Sequence, residues 1–399
     1  MPTQIQYALM AAASYISTRR DINKFPVPDG WIENTENRRV RPSGFEATTF
    51  TSGTELVISF AGTYPGTLLG PKNALGRAVD FATDVALAVG ASDDQLPQAV
   101  QYYLDRKREN PSATITLTGH SLGGGLAALV GVFFGIQANT FDQAPFAKSA
   151  QALWNPLNIP PDVATKLRDD LRSSGYTELE LSPLSNFLAL RQEFDGIPNA
   201  QLINSTRVDG EFLSDWPVFS WQNIIGNLPS TIQHGPTTAN GIDLHAQSLL
   251  IAFLQTEQSL GEEKSLSKLT YKLTDLLAML VDANLYARST DTFDENFLER
   301  LVRHEFGNAP NVVNGTTVGV VTADSMLTRF TRDLWKLVQD GGLTLSDGNL
   351  WNPALNNLSK ALTAFAMQKY YDETQASAGY NKTLFTNIDG GGIQFDRAD

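Results

Sequence analysis

The heptapeptide Gly119-His120-Ser121-Leu122-Gly123-Gly124-Gly125 constrains the fold more than any other stretch of this chain. It joins a β-branched run, Thr114–Thr118, to an apolar run, Leu126–Ile136, so the local order is strand, sharp turn, helix. Glycines two residues before and two after Ser121 remove side chains that would collide in so tight a turn, and Gly124 lets the helix approach the strand closely. Such a turn lifts a hydroxyl to the edge of a sheet, beside helix N–H groups that favour negative charge. A serine hydroxyl needs that setting and a neighbouring base to become a nucleophile. Ser121 is therefore the candidate nucleophile.

The flanking pattern sets the fold class. Ile5–Ile16 carries apolar side chains at helical spacing, and Glu46–Phe50 and Glu55–Ala61 read as a hairpin about Ser52-Gly53-Thr54. Residues 92–110 read as a helix that is acidic at its start and basic at its end, stopped by Pro111. After the elbow, Ala138–Phe141 and Gln201–Val208 read as further strands. Strands alternating with helices predict an α/β fold of the α/β-hydrolase type, a mostly parallel sheet covered on both faces. Residues 148–200, with helical patterns at Asp162–Leu171 and Leu184–Phe194, read as a helical insertion or cap. Strands are expected to stop after about residue 258. Amphipathic helices at 266–286, 297–306, 325–338 and 355–371 then form a C-terminal helical region. The expected domains are 1–258, 259–385 and a Gly/Asp-containing tail, 386–399. That tail resembles one copy of a glycine-aspartate calcium repeat, which leaves a structural calcium ion open, although a flexible tail is the simpler reading.

Composition narrows the chemistry. With 399 residues and 42% hydrophobic content the chain buries a large core, and it has no cysteine, which excludes disulfides, thiolate metal sites and cysteine nucleophiles. A formal net charge of −13 argues against nucleic acid and anionic membrane surfaces as partners. The apolar runs fall short of the roughly 18 residues that suggest a membrane span, and the N-terminus lacks the basic and apolar regions of a signal peptide. A soluble protein is expected, cytoplasmic or exported by a route that needs no cleaved signal.

Four histidines, His120, His234, His245 and His304, are the candidate bases. His120 points away from its neighbour in the turn and reads as a pocket-lining residue. His304 lies in an amphipathic helical pattern. In a serine, acid, histidine chain order the base follows the last core strand, which favours His245 over His234. The acid that orients it is sought after the strand ending at Val208, where Glu211 and Asp209 both qualify. An oxyanion needs fixed donors. These are expected from the Leu122 N–H and from Thr63, which follows the strand Glu55–Ala61.

Val57-Ile58-Ser59-Phe60-Ala61-Gly62-Thr63, the Gly-His-Ser-Leu-Gly-Gly string and Asp243-Leu244-His245 together resemble the fungal-type class 3 lipases across about residues 5–258. That resemblance implies an oxyanion role for Thr63 and Leu122, and it aligns Glu211 with the acid of an Asn-Asp-x-Val-Pro motif. The chain departs from the family at Ala61, where the family has arginine, and in having glutamate as the aligned acid. The resemblance implies a carboxylic-ester hydrolase, a lipase or esterase acting through an acyl-enzyme, with no cofactor required. Its partners are a lipid or other ester substrate and a transient lipid interface; oligomeric state stays open. A phospholipase A-type toxin or effector, a non-catalytic interaction protein on the same fold, and an acyltransferase are the alternatives. Tyr64–Gly90 and the insertion 148–200 are the candidate lids.

Overall fold

A computed structural model describes residues 1–17, 19, 24–62, 92–151, 163–193, 196–215, 224–237, 239–273, 276–281, 296–307, 310–313, 316–339, 385–388 and 392–395. The chain forms two compact units, Met1–Arg20 with Val27–Ile232, and Asp21–Pro26 with Gln233–Asp399.

The first unit opens with helix α1 (Gln4–Ala13), started by a reciprocal cap in which Thr3 Oγ1 accepts the Gln6 N–H and Gln6 Oε1 accepts the Thr3 N–H. Strands β1 (Ile32–Val40), β2 (Glu46–Ser52) and β3 (Glu55–Phe60) follow, then helix α2 (Ser92–Glu109), strand β4 (Thr114–His120), helix α3 (Leu122–Phe134) and strand β5 (Ala138–Phe141). Helices α4 (Ala147–Ala150), α5 (Val163–Ser173) and α6 (Glu178–Glu193) make up the described part of the insertion. Strand β6 (Ile203–Val208), helix α7 (Phe212–Asp215) and strand β7 (Ser230–Ile232) complete the unit. The seven strands lie in sequence order in one sheet, antiparallel through β1–β2–β3 and parallel from β3 to β7.

This is the α/β-hydrolase arrangement that the strand and helix alternation predicts. Alternate residues of β4 face opposite layers. The Tyr7 hydroxyl of α1 donates to Thr116 Oγ1 at 3.0 Å and Thr118 Oγ1 donates to the Tyr7 carbonyl, which fixes α1 on one face. Gly119 meets the first turn of α3 on the other. Tyr102 of α2 packs against Phe45 and Phe60, Tyr103 against Phe134, and Phe187 of α6 against Phe133, so α2 and the insertion both rest on the α3 layer. Each such aromatic, fully buried, contributes about 1.5–3 kcal/mol of hydrophobic stabilisation.

Three local differences from the sequence reading have physical causes. Strand β1 goes unpredicted because its sequence, Ile-Glu-Asn-Thr-Glu-Asn-Arg-Arg-Val, is polar; it is a sheet edge, where charge deters pairing with other chains. Helix α3 begins at Leu122 and not at Leu126, since Gly123–Gly125, poor helix formers by propensity, are held there by packing. Helix α6 begins at Glu178, ahead of Pro183. Proline cannot donate to the Leu179 carbonyl four residues back, and the Ser182 hydroxyl donates to it instead at 2.9 Å.

The second unit contains α8 (Gly241–Leu244), α9 (Gln247–Leu260), α10 (Leu266–Leu269), α11 (Leu276–Val281), α12 (Phe297–Phe306) and α13 (Met326–Gln339). The expectation of strand-free sequence after 258 is corrected here. Strands β8 (Pro310–Val313) and β9 (Thr316–Val320) pair antiparallel, as do β10 (Phe385–Ile388) and β11 (Gly392–Phe395), the latter where a flexible tail was expected. In the sequence an Asn-Gly dipeptide separates the β-branched runs of the first hairpin, a strong hairpin signal. The single helix expected over 266–286 is instead two short helices, with Thr270 between them donating its hydroxyl to the Ser267 carbonyl at 2.7 Å. The helical pattern at 355–371 lies outside the described residues. Among the described residues no helix is long and apolar enough to cross a membrane.

Candidate active site

Ser121 forms the turn between β4 and α3 at φ 57°, ψ −125°. A non-glycine residue pays about 1–3 kcal/mol for such a conformation, which persists only where surrounding contacts over-determine it. Here the Ser121 N–H donates to the Phe141 carbonyl at 3.0 Å, and the Ser121 carbonyl accepts the N–H groups of Gly125 at 3.1 Å and Ala144 at 3.0 Å. The glycines make the turn sterically feasible. A Cβ on Gly119 would run into the Gly123 carbonyl group, and one on Gly123 into the Phe60 carbonyl oxygen. Ser121 is 1% exposed, and its Oγ makes no hydrogen bond among the described residues.

Leu122 is the first residue of α3, so its N–H has no acceptor within the helix and is left for another group. The segment after β3 comes close to the same turn. A Cβ built on Gly62 would stand 2.6 Å from the His120 carbonyl oxygen and 3.0 Å from Ser121 Cβ. Thr63 itself lies outside the described residues, as does the candidate lid 64–90.

His120 is buried and held at both ring nitrogens. Nδ1 lies 3.2 Å from the Tyr15 hydroxyl, and Nε2 lies 3.5 Å from Asp142 Oδ2. It is the last residue of β4, directly before Ser121. Asp142 directly follows β5, is fully buried, and has φ 41°. Its Oδ1 accepts the Val208 N–H at 3.0 Å. Burial pushes the Asp142 carboxyl well above the usual carboxylate range and the negative Glu211 adds to this, against the opposing Val208 hydrogen bond and the charge of Arg207.

The two candidate acids are not equivalent. Glu211 is 2% exposed, accepts the Leu213 N–H on Oε2 at 2.8 Å, and lies near enough to raise Asp142. Asp209 is half-buried in the turn after β6, its N–H donating to the Ile232 carbonyl. Burial thus distinguishes two carboxyls that the sequence leaves level.

The second unit carries the remaining histidines. His245 closes the turn of α8, with its N–H on the Gly241 and Ile242 carbonyls, and its side chain is 4% exposed. Asn240 caps α8 by accepting the Ile242 and Asp243 N–H groups, and Asp243 Oδ2 accepts the Asn240 N–H in return, which engages that carboxylate in holding the turn. His234 Nδ1 lies 2.7 Å from the Gly235 carbonyl, with its ring against Phe253. His304 in α12 lies 3.7 Å from Asp324; burial lowers its pKa, with Arg300 and Arg303 adding to this and Asp324 opposing it.

The sequence reading misses Asp142 and Tyr15. Asp142 carried a usable signal, since it is an acid directly after a core strand, at the carboxyl ends of the strands where ligands bind in parallel α/β folds. Tyr15 carried none, because a tyrosine at the end of an amphipathic helix reads as core.

Comparison with known proteins gives consistent likenesses. Residues 7–152 match the Phospholipase-like family described as a Tle-like phospholipase domain. The extracellular phospholipase A1 of Serratia liquefaciens is 30% identical over 202 residues, 50% of this chain and 54% of that protein. The ATG15 lipase homologue of Vanderwaltozyma polyspora is 40% identical over 74 residues, 18% of this chain and 13% of that protein. The chain thus spans about half or less of the length of these relatives. Among solved structures, the native Rhizomucor miehei lipase propeptide complex matches at 19% identity and a TM-score of 0.21, over 36% of this chain and 52% of that chain.

Proposed function

On the premise that these likenesses fit a class 3 lipase-like family, we propose that the chain is a serine-dependent carboxylic-ester hydrolase acting on fatty-acyl esters. Ser121 attacks the ester carbonyl, and His245 takes the serine proton and delivers it to the leaving alcohol. Water, activated by the same histidine, then attacks the acyl-enzyme and releases the carboxylic acid and free Ser121. The developing oxyanion is met by the Leu122 N–H and by Thr63. Glu211 orients His245 and stabilises its cationic form, a role its burial suits better than that of Asp209. The chemistry proposed uses no metal and no organic cofactor.

The observation that carries this reading is the backbone of Ser121. A buried serine forced into φ 57° at the start of a helix, with glycines on both sides cleared for close approach, is costly to build and serves to present a hydroxyl. The test is a panel of p-nitrophenyl esters with a fluorophosphonate probe on the full chain. The wild type is expected to hydrolyse esters and to be labelled at Ser121, and Ser121→Ala to lose both. Equal activity in the two proteins would sink the proposal.

A narrower reading, phospholipase A-type cleavage at a lipid interface, is favoured by the match of residues 7–152 to a phospholipase domain and by the Serratia relative. Mass spectrometry of products from phosphatidylcholine vesicles and from triacylglycerol emulsions separates the two. Lysophospholipid from the former, with no release from the latter, selects phospholipase action.

A further inference from the structure

Tyr15 lies just beyond α1, far from Ser121 in sequence, and its ring packs on Ala61 in the segment leaving β3. Its hydroxyl meets two parts of the candidate site. It lies 3.2 Å from His120 Nδ1, and it stands against Gly62, where a built Cβ would come within 2.8 Å of it. Those two partners are the residue immediately before the nucleophile and the residue immediately before Thr63. We infer that Tyr15 is the positioning residue that sets the spacing between the nucleophile turn and the oxyanion loop. The inference rests on the ester-hydrolase reading above.

Polarity along the chain is consistent. If the Tyr15 O–H donates to His120 Nδ1, then Nε2 carries the ring proton and faces Asp142 Oδ2 at 3.5 Å, while the Tyr15 oxygen keeps its lone pairs on the side of Gly62. The buried chain Asp142, His120, Tyr15, Gly62 thus runs from the end of β5, past β4, to the end of β3. Burial pushes the Tyr15 phenol up to about 12, so it stays a neutral donor and acceptor across the working range.

Tyr15 is itself pinned from behind. Glu46 of β2, 3% exposed, accepts the N–H groups of Ile16 at 2.6 Å and Ser17 at 3.2 Å and the Ser17 hydroxyl at 2.5 Å. Arg19 lies over the Tyr15 ring, 5.1 Å from its centroid. Any buried phenol needs partners for its oxygen, and here those partners stand on the two segments that carry the candidate nucleophile and the residue before Thr63.

An oxyanion donor displaced by a fraction of an ångström weakens the transition state and leaves substrate binding largely intact. Tyr15→Phe keeps the ring and removes only the bridging oxygen. The expected result is a fall in kcat of about 10- to 100-fold with KM within about twofold. Labelling by a fluorophosphonate, whose adduct places an oxygen where the oxyanion forms, is expected to slow in parallel. In wild-type protein the Gly62 amide is expected to exchange slowly with deuterium, and to exchange rapidly in the variant.

A folded Tyr15→Phe with wild-type kcat overturns the inference. If that variant does not fold, fast exchange at Gly62 in the wild type overturns it and slow exchange supports it. Failure of the underlying reading is distinct, because wild-type protein would then show no Ser121-dependent hydrolysis, and both proposals would fall together.

Discussion

Asp142 Oδ2 lies 3.5 Å from His120 Nε2, so the residue before the candidate nucleophile faces the residue that directly follows the neighbouring strand. Within the first unit this carboxyl is met by His120 from β4, Glu211 from the loop after β6, and Arg207 and the Val208 N–H from β6 itself. Its pKa is raised in the fold, chiefly by burial.

The sign of the resulting pH dependence follows. A carboxyl whose folded pKa is raised holds its proton more tightly folded than unfolded, so its stabilising contribution is full below the unfolded value of about 3.9 and is lost as pH rises through the folded value. The stability of wild type relative to Asp142→Asn should therefore decline as pH rises. Urea denaturation at several pH values from about 4 to 9 measures this, and a difference that grows with pH would refute it.

The two acids make opposite predictions. Glu211→Gln should lower kcat by about 1,000- to 10,000-fold, as loss of the orienting carboxylate does in serine hydrolases, while Asp209→Asn should stay within about threefold of wild type. Steady-state kinetics on a soluble ester reads both, and the reverse ranking would move the acid to Asp209.

Gly123→Ala tests the elbow as a packing unit. The new methyl group meets the Phe60 carbonyl of β3, a backbone atom that cannot swing aside. A loss of about 3 kcal/mol or more is expected, visible as a lowered thermal midpoint. A variant as stable as wild type would show that the turn has slack.

Ser182→Ala probes the repair of the proline in α6. It removes the hydroxyl that satisfies the Leu179 carbonyl and should cost about 0.5–1.5 kcal/mol, whereas Pro183→Ala restores a backbone donor and should offset that loss in the double variant. A double-mutant cycle by chemical denaturation gives the coupling.

Legibility in the sequence follows from where the physics is local. The elbow, the alternation of strands with helices and the hairpin β2–β3 are written in glycine spacing and β-branched runs. Strand β1 and the hairpin β10–β11 are not, because a polar edge strand resembles a loop and a short Gly/Asp-containing hairpin resembles a tail, while the Asn-Gly signal of β8–β9 is present but stands among helical patterns. The site divides in the same way. Ser121 and Leu122 follow from one contiguous motif, but the difference between Glu211 and Asp209 lies in burial. Tyr15 meets His120 and Gly62 only once α1 is laid across the sheet.

The Ser121 carbonyl accepts two N–H groups, one from Gly125 inside α3 and one from Ala144, three residues ahead of α4, where the helical insertion begins. The segment leading into the insertion is therefore hydrogen-bonded to the backbone of Ser121 itself. A pull on that segment is borne by the strained peptide at Ser121 and released into the φ and ψ of the serine. The start of the insertion and the candidate nucleophile thus share one hydrogen-bonded backbone, and substitutions near Ala144 are expected to register as changes in reactivity before they register as changes in shape.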